Sequence, residues 1–321
     1  MSQKPLIIVS RKLPEAVEAR LVRDYRARLN TEDRLYATDE LIALLEGADA
    51  LLACHTERMD AATIERLPQS VRVIANVSVG VDHVDLAAAK RRGIAVTNTP
   101  DVLSDATAEI ALLLMLGAAR RAGEGERLVR ANAWKSWSPT FMLGTQVTGK
   151  RLGFIGMGRV GRAFARMTCG LGMHLHYHNR RRLSDEQAVG AVYHETVEDL
   201  LPHCDFLSLH CPATPETADL LNAARIALMP DGAIVVNTAR GAVIDEDALI
   251  AALRTGKLAA AGLDVFKNEP DIHPEFRRLD TVFVLPHIGS ATRETRDAMG
   301  FRALDNLDAV FAGREPGDRV A

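Results

Sequence analysis

Cysteine is scarce in this chain of 321 residues: Cys54, Cys169, Cys204 and Cys211 are the whole complement, and none stands in a C-x-x-C spacing. Four reduced thiols in a cytoplasmic protein are therefore the expectation. Long apolar runs are missing too. The longest, Ile110–Ala119, is about half of what spans a bilayer and is closed by Arg120 and Arg121, so it reads as a buried helix. Near the N-terminus only Leu6–Val9 is apolar, far short of a signal-peptide core. The formal net charge is -3, which supplies neither a basic field for nucleic acid nor a polybasic membrane anchor. There is no short repeat and no low-complexity tract. What remains, 47% hydrophobic and 25% charged residues, is the composition of a globular protein long enough for two domains.

Short apolar segments alternate with helical patterns from the start: Leu6–Val9 then Pro14–Arg28, Ala50–Ala53 then Ala61–Leu67, Val71–Ala75 then Leu86–Arg92, then Ile94–Thr97. Such alternation implies parallel strands with helices on both faces. A long helix, Asp105–Arg121, capped by Ser104 or Asp105, leads into a polar, tryptophan-bearing stretch, Ala122–Gly149. A second alternating series begins at Arg151 and continues through His174–His178, Phe206–His210, Ala233–Thr238, Ala260–Val265 and Val282–Leu285. The last segment, Thr292–Ala312, reads as a helix without a strand partner in that series. It either returns to the first domain or stays on the second. A return would give two chain crossings, near Pro100–Ser104 and Pro286–Ser290, with a cleft between the domains where a substrate could meet a cofactor.

The second series opens on its most informative stretch. Leu152–Ile155 runs into Gly156, Gly158 and Gly161 in the G-x-G-x-x-G pattern, followed by an amphipathic segment with Val160, Phe164, Met167 and Leu171 at helical spacing. Strand, glycine turn and helix in that order form a dinucleotide fingerprint. The first glycine permits the turn, the second admits a pyrophosphate, and the third lets helix and strand pack closely. Amides opening the helix, at Arg159 and Val160, would face the phosphates. A carboxylate about 20 residues on would bind the adenosine ribose. In its place stand His178 and Asn179, followed by Arg180, Arg181 and Arg182. A neutral amide beside guanidinium groups suits a 2′-phosphate, so NADP(H) is the expected cofactor. The alternative is a solvated arginine loop, which for Arg182 is the preferred reading.

Three further residues each follow an expected strand end, where open α/β sheets place ligands: Arg240 in N-T-A-R-G, Glu269 in D-V-F-K-N-E-P and His287 in L-P-H-I-G-S. Delivering a hydride to a 2-oxo acid leaves negative charge on the carbonyl oxygen. His287 suits the proton donor, Glu269 would favour its imidazolium form, and Arg240 would grip the carboxylate and polarise the carbonyl. Each alone has a duller reading as a surface or loop residue; their shared placement favours the functional one. Asn76–Asp82, N-V-S-V-G-V-D, could present consecutive amides to a carboxylate or be an ordinary turn. His174, His176 and His178 share a strand face, but no fourth ligand of evident spacing accompanies them, and no metal is expected. Cys211, in H-C-P, reads as a packed thiol.

Over nearly its whole length the chain resembles the D-isomer-specific 2-hydroxyacid dehydrogenase family, and within it the glyoxylate/hydroxypyruvate reductase branch. The resemblance rests on N-V-S-V-G-V-D-H-V-D at 76–85, T-P-D-V-L-S-D-A-T-A-E at 99–109, the glycine loop, H-C-P-A-T-P-E-T at 210–217, M-P-D-G-A-I-V-V-N-T-A-R-G at 229–241, G-L-D-V-F-K-N-E-P at 262–270 and L-P-H-I-G-S-A-T at 285–292. It implies an α/β fold of two doubly wound parallel-sheet domains. A smaller flavodoxin-like substrate-binding domain is expected from residues 1–102 and 289–321, and an NADP-binding Rossmann domain from 103–288. It implies Arg240, Glu269 and His287 as the catalytic set, with the Val79 and Gly80 amides on the substrate carboxylate. Asp264 would lie near the nicotinamide carboxamide, and Pro212, Thr217, Thr238, Ala239 and Ser290 would line the cofactor site. Asn179 departs from the family's usual Asp and agrees with its NADP-preferring reductases. The resemblance further implies a homodimer, with Trp134–Leu143 reaching the partner's site, Trp137 being the likelier contact, or merely packing in the dimer. His55 is a weaker candidate for the substrate end. Small 2-oxo acids, glyoxylate and hydroxypyruvate first, are the expected substrates. The competing readings are a 2-ketogluconate or broad 2-oxo acid reductase, an NAD(H)-sensing corepressor, and a phosphoglycerate dehydrogenase, which Asn179 disfavours.

Overall fold

Among the described residues there are twelve strands, and every pairing between them is parallel. The computed structural model describes residues 3–321 and divides the chain into two units. One runs through Leu103 and resumes at Ala291–Ala321; the other is Ser104–Ser290.

In the first unit, β1 (Leu6–Val9), β2 (Arg26–Arg28), β3 (Ala50–Ala53), β4 (Val73–Asn76) and β5 (Ala95–Thr97) form one sheet in the order β2-β1-β3-β4-β5. Alternate residues serve opposite faces. Ile8, Leu51, Ile74 and Val96 enter one core while Ile7, Leu52, Val73 and Ala75 enter the other, as the two-residue period of a strand requires. With both faces covered, β3 and β4 are buried at all positions, which is why they read as unbroken apolar runs. The helix Arg293–Phe311 belongs to this unit, packing its Met299, Ala303, Leu304 and Leu307 with Val17 and Leu21 of the helix Glu15–Asp24.

In the second unit, β6 (Arg151–Ile155), β7 (His174–His178), β8 (Val192–Tyr193), β9 (Phe206–Leu209), β10 (Ala233–Asn237), β11 (Leu258–Leu263) and β12 (Val282–Val284) follow the order β12-β11-β10-β9-β6-β7-β8. Strand order reverses between β6 and β9, and the carboxyl ends there mark the crevice in which such sheets bind ligands. Phe154, Phe206, Ile234 and Val236 point to one core; Ile155, Leu207, Leu209 and Val235 point to the other. The helix Ser104–Ala119 is apolar nearly all round and buries nine residues, which suits a central helix rather than a surface one. Two parallel-sheet α/β units are therefore as the sequence implied.

Local differences are informative. Pro14–Arg28 is not one helix: the helix stops at Asp24, Tyr25 is extended at φ -126°, and Arg26–Arg28 pairs with β1. Within the polar stretch after Arg121, Ala122–Arg130 is helical although it buries no residue. Most strands of the second series also end one or two residues before the expected point, which places Thr238, Asp264 and Leu285 in the loops rather than in the sheet.

Candidate active site in the second unit

The glycine turn is built by contacts that exclude side chains. Gly156 has φ +90°, and a Cβ there would lie 2.7 Å from the Cys211 amide nitrogen; one at Gly161 would lie 2.8 Å from the Gly156 carbonyl. A Cβ at Gly158 would meet nothing within 4 Å, so this glycine faces open space. Gly158 also opens the helix Arg159–Cys169 without a capping side chain, and such a helix start suits a phosphate. This cradle fits a dinucleotide. At the end of β7, the Met157 N–H donates to Asn179 Oδ1 at 2.6 Å. That bond ties Asn179 to the turn through its side-chain oxygen, and its side-chain nitrogen carries two N–H donors. Arg180 and Arg181 are exposed just beyond, whereas Arg182 lies over the Tyr193 ring, 5.8 Å from its centroid.

Three neighbouring strand ends carry the polar groups. After β10, Asn237 clamps the turn that presents Arg240: its Oδ1 accepts from the Ala239 N–H at 2.9 Å and its Nδ2 donates to the Arg240 carbonyl at 2.9 Å. Arg240 donates through Nη1 to the Ala239 carbonyl at 2.7 Å. Gly241 lets this turn press on the next loop, for a Cβ there would stand 1.9 Å from the Phe266 carbonyl carbon. That loop, after β11, holds Glu269. Its Oε1 accepts from the Phe266 N–H at 2.7 Å, and its Oε2 lies 2.6 Å from His287 Nδ1. His287, after β12, sits in the left-handed region at φ +54°. A carboxylate held on Nδ1 fixes the ring and keeps a proton there, which turns Nε2 into the exchanging nitrogen.

The neighbouring loops add further polar groups, Asp264 and Thr217 among those the resemblance implied. Asp264 is 1% exposed, and burial raises its carboxyl above the usual range. Its oxygens accept from the Ile288 and Gly289 N–H groups at 2.8 and 2.7 Å. His210 packs against both Phe154 and Phe164, with Nε2 at 2.9 Å from Ser208 Oγ and Nδ1 at 3.4 Å from Thr238 Oγ1. Burial lowers it to about 3, so the ring is neutral and acts as a hydrogen-bonding spacer. Its place in H-C-P after a strand was the available signal. Thr217 Oγ1 donates to the Pro212 carbonyl at 2.7 Å, closing the neighbouring turn.

In the first unit the Val79 carbonyl accepts from Asn98 and the Gly80 carbonyl from Ser78, both at 2.8 Å, whereas their amides donate to no described residue. Consecutive amides left this way suit an anion. His55 is exposed after β3. Trp134 and Trp137 are 56% and 75% exposed. Of the strand histidines, His176 Nδ1 lies 3.0 Å from His194 Nε2, and His178 Nδ1 lies 3.0 Å from the His194 carbonyl. Among the described residues no three His, Cys, Asp or Glu side chains converge on a metal position. The four cysteines are unpaired thiols, and no helix among the described residues is long and apolar enough to cross a membrane.

The family model described as D-isomer specific 2-hydroxyacid dehydrogenase, NAD binding domain, matches residues 112–289. The chain belongs to that family. A glycerate dehydrogenase from Hyphomicrobium methylovorum is 42% identical over 98% of both chains. A glyoxylate reductase from Pyrococcus furiosus is 41% identical over 98% of this chain and 94% of its own. Among solved structures, the NADPH-dependent glyoxylate/hydroxypyruvate reductase from Sinorhizobium meliloti, in complex with NADP and malonate, superposes with a TM-score of 0.87 at 31% identity, covering 99% of this chain and 97% of that one. This member of the D-2-hydroxyacid dehydrogenase family is thus an oxidoreductase, similar to enzymes of the glyoxylate/hydroxypyruvate branch.

Proposed function

We propose that this dehydrogenase reduces small 2-oxo acids, glyoxylate to glycolate and hydroxypyruvate to D-glycerate, using NADPH, as a cytoplasmic homodimer. The observation that carries the reading is the 2.6 Å pair of His287 and Glu269 on the loop against which the Arg240 turn packs. When bound, the reduced nicotinamide supplies the hydride that goes to the carbonyl carbon. His287 gives its Nε2 proton to the carbonyl oxygen, and Glu269 offsets the imidazolium charge before that transfer. Arg240 stabilises the oxygen as negative charge develops. Val79 and Gly80 amides receive the substrate carboxylate. On the cofactor, Gly156, Gly158, Arg159, Val160 and Gly161 take the pyrophosphate. Pro212, Thr217, Thr238, Ala239, Asp264 and Ser290 line the remainder.

The NADPH preference is supported by Asn179, an uncharged side chain whose N–H donors suit a 2′-phosphate, and by exposed Arg180 and Arg181. It is tested with Asn179→Asp. A carboxylate there repels the phosphate, and the NADPH/NADH ratio of kcat/KM should fall at least about tenfold, about 1.4 kcal/mol. An unchanged ratio would contradict the assignment. The dimer is supported by apolar side chains left exposed along one stretch of the second unit: Leu113, Leu116, Val129, Trp134, Trp137, Phe141 and Leu143. Light scattering should give twice the mass of one chain; a monomer at assay concentration would remove this part of the reading.

A further inference from the structure

His287 does not hold itself in place. Its backbone is in the left-handed region, φ +54°, where a non-glycine residue persists only when its surroundings enforce it. The enforcing group is Asp264. The Asp264 carbonyl accepts the His287 N–H at 2.9 Å, and the two Asp264 carboxylate oxygens accept the next two amides, Ile288 at 2.8 Å and Gly289 at 2.7 Å. Asp264 is itself anchored, with its N–H on the Asn237 carbonyl at 3.0 Å and its side chain buried. Asn237 is the residue that clamps the Arg240 turn.

We propose that Asp264 is a positioning residue for catalysis: its carboxylate clamps the backbone after His287 and so fixes the imidazole relative to Glu269 and Arg240. This rests on the reading of His287 as proton donor and goes beyond an Asp that merely contacts the nicotinamide. Each carboxylate oxygen has a second lone pair, so a cofactor contact is compatible with the clamp, but it is not what the carboxylate chiefly does. A side chain bonding two successive amides and its own carbonyl bonding a third is an over-determined arrangement. Loss of one bond frees the strained peptide.

The decisive variant is Asp264→Asn. It keeps the shape and one acceptor, but sets an N–H₂ group against the second amide. Amide hydrogen exchange of the cofactor-free protein at Ile288 and Gly289 should quicken about tenfold or more, as expected for a lost buried hydrogen bond, with exchange in β6 and β9 unchanged. At saturating NADPH and substrate, kcat should fall about 100-fold, the cost of a misplaced catalytic group, while the NADPH dissociation constant stays within about threefold. The opposite split overturns the proposal: a weakened NADPH constant with normal kcat and normal exchange makes Asp264 a cofactor contact only. Should Asp264→Asn fail to fold, Gly289→Ala decides by the same readings. Its Cβ would stand 3.2 Å from Asp264 Oδ2 and disturb the clamp with the carboxylate retained. Unchanged exchange and kcat in that variant would also overturn it. The exchange reading needs no turnover. A wild-type protein that reduces no 2-oxo acid would sink the parent function, and the clamp would still be decided.

Discussion

At the scale of single residues, backbone hydrogen bonds set the positions of the few side chains to which the proposed chemistry is assigned. His287→Ala should lower kcat by about 10²- to 10⁴-fold, the range for a lost general acid. Fluorescence titration should show NADPH affinity nearly unchanged, since the ring is assigned to proton transfer; normal turnover would remove His287 from the mechanism. Gly161→Ala tests the turn. Its Cβ would meet the Gly156 carbonyl at 2.8 Å, a backbone atom with little room to yield. The melting temperature should drop, for a cost of about 1–3 kcal/mol, and cofactor binding should weaken. Arg240, Glu269 and His287 were legible in the sequence because each follows an apolar run, and adjacent parallel strands bring their ends side by side. The bonds made by Asn237, Asp264 and His210 were not, although Asp264 itself was expected near the cofactor. Their partners are peptide groups and hydroxyls brought together by packing, which no spacing encodes.

Among elements, the outer edge of the larger sheet carries an unusual group. His176 on β7 bonds His194 across 3.0 Å, and both rings lie against His203 with centroids 5.3 and 4.9 Å away. Arg151 and His174 add positive potential at His176, while Asp199 opposes it at His194. Burial, then the neighbouring histidines, lowers His176 to about 4, and burial, then His203, lowers His194. A free imidazole titrates near about 6.5, so below that pH the unfolded chain takes up protons that the folded one refuses. Stability is therefore full above about pH 6.5 and is lost as pH falls towards 4. The guanidinium midpoint should fall between pH 7 and pH 5, less so in His176→Asn; equal falls would show that other groups govern acid sensitivity. The elements missed from sequence were those with weak patterns. Arg26–Arg28 is a three-residue edge strand with exposed arginines, and Ala122–Arg130 contains two glycines and buries nothing. The long buried strands were evident because covering both faces leaves an unbroken apolar run.

For the molecule as a whole, two sheets built on one principle present different groups: the successive Val79 and Gly80 amides after β4 in one unit, and side-chain donors and acceptors after β10, β11 and β12 in the other. Both fold classes could be read from alternation, since a helix must cover each face of a parallel sheet. The NADP(H) expectation rests on charge alone, an uncharged Asn179 followed by Arg180 and Arg181, because spacing in a sequence states a sign but not a distance. Reduction of small 2-oxo acids with NADPH is decided by initial rates of NADPH and NADH oxidation, measured separately with glyoxylate, hydroxypyruvate and 2-ketogluconate. Fast turnover with glyoxylate or hydroxypyruvate and a higher kcat/KM with NADPH are expected. Turnover with NADH alone would contradict the role given to Asn179, Arg180 and Arg181, and no turnover with any of the three acids would contradict the function itself.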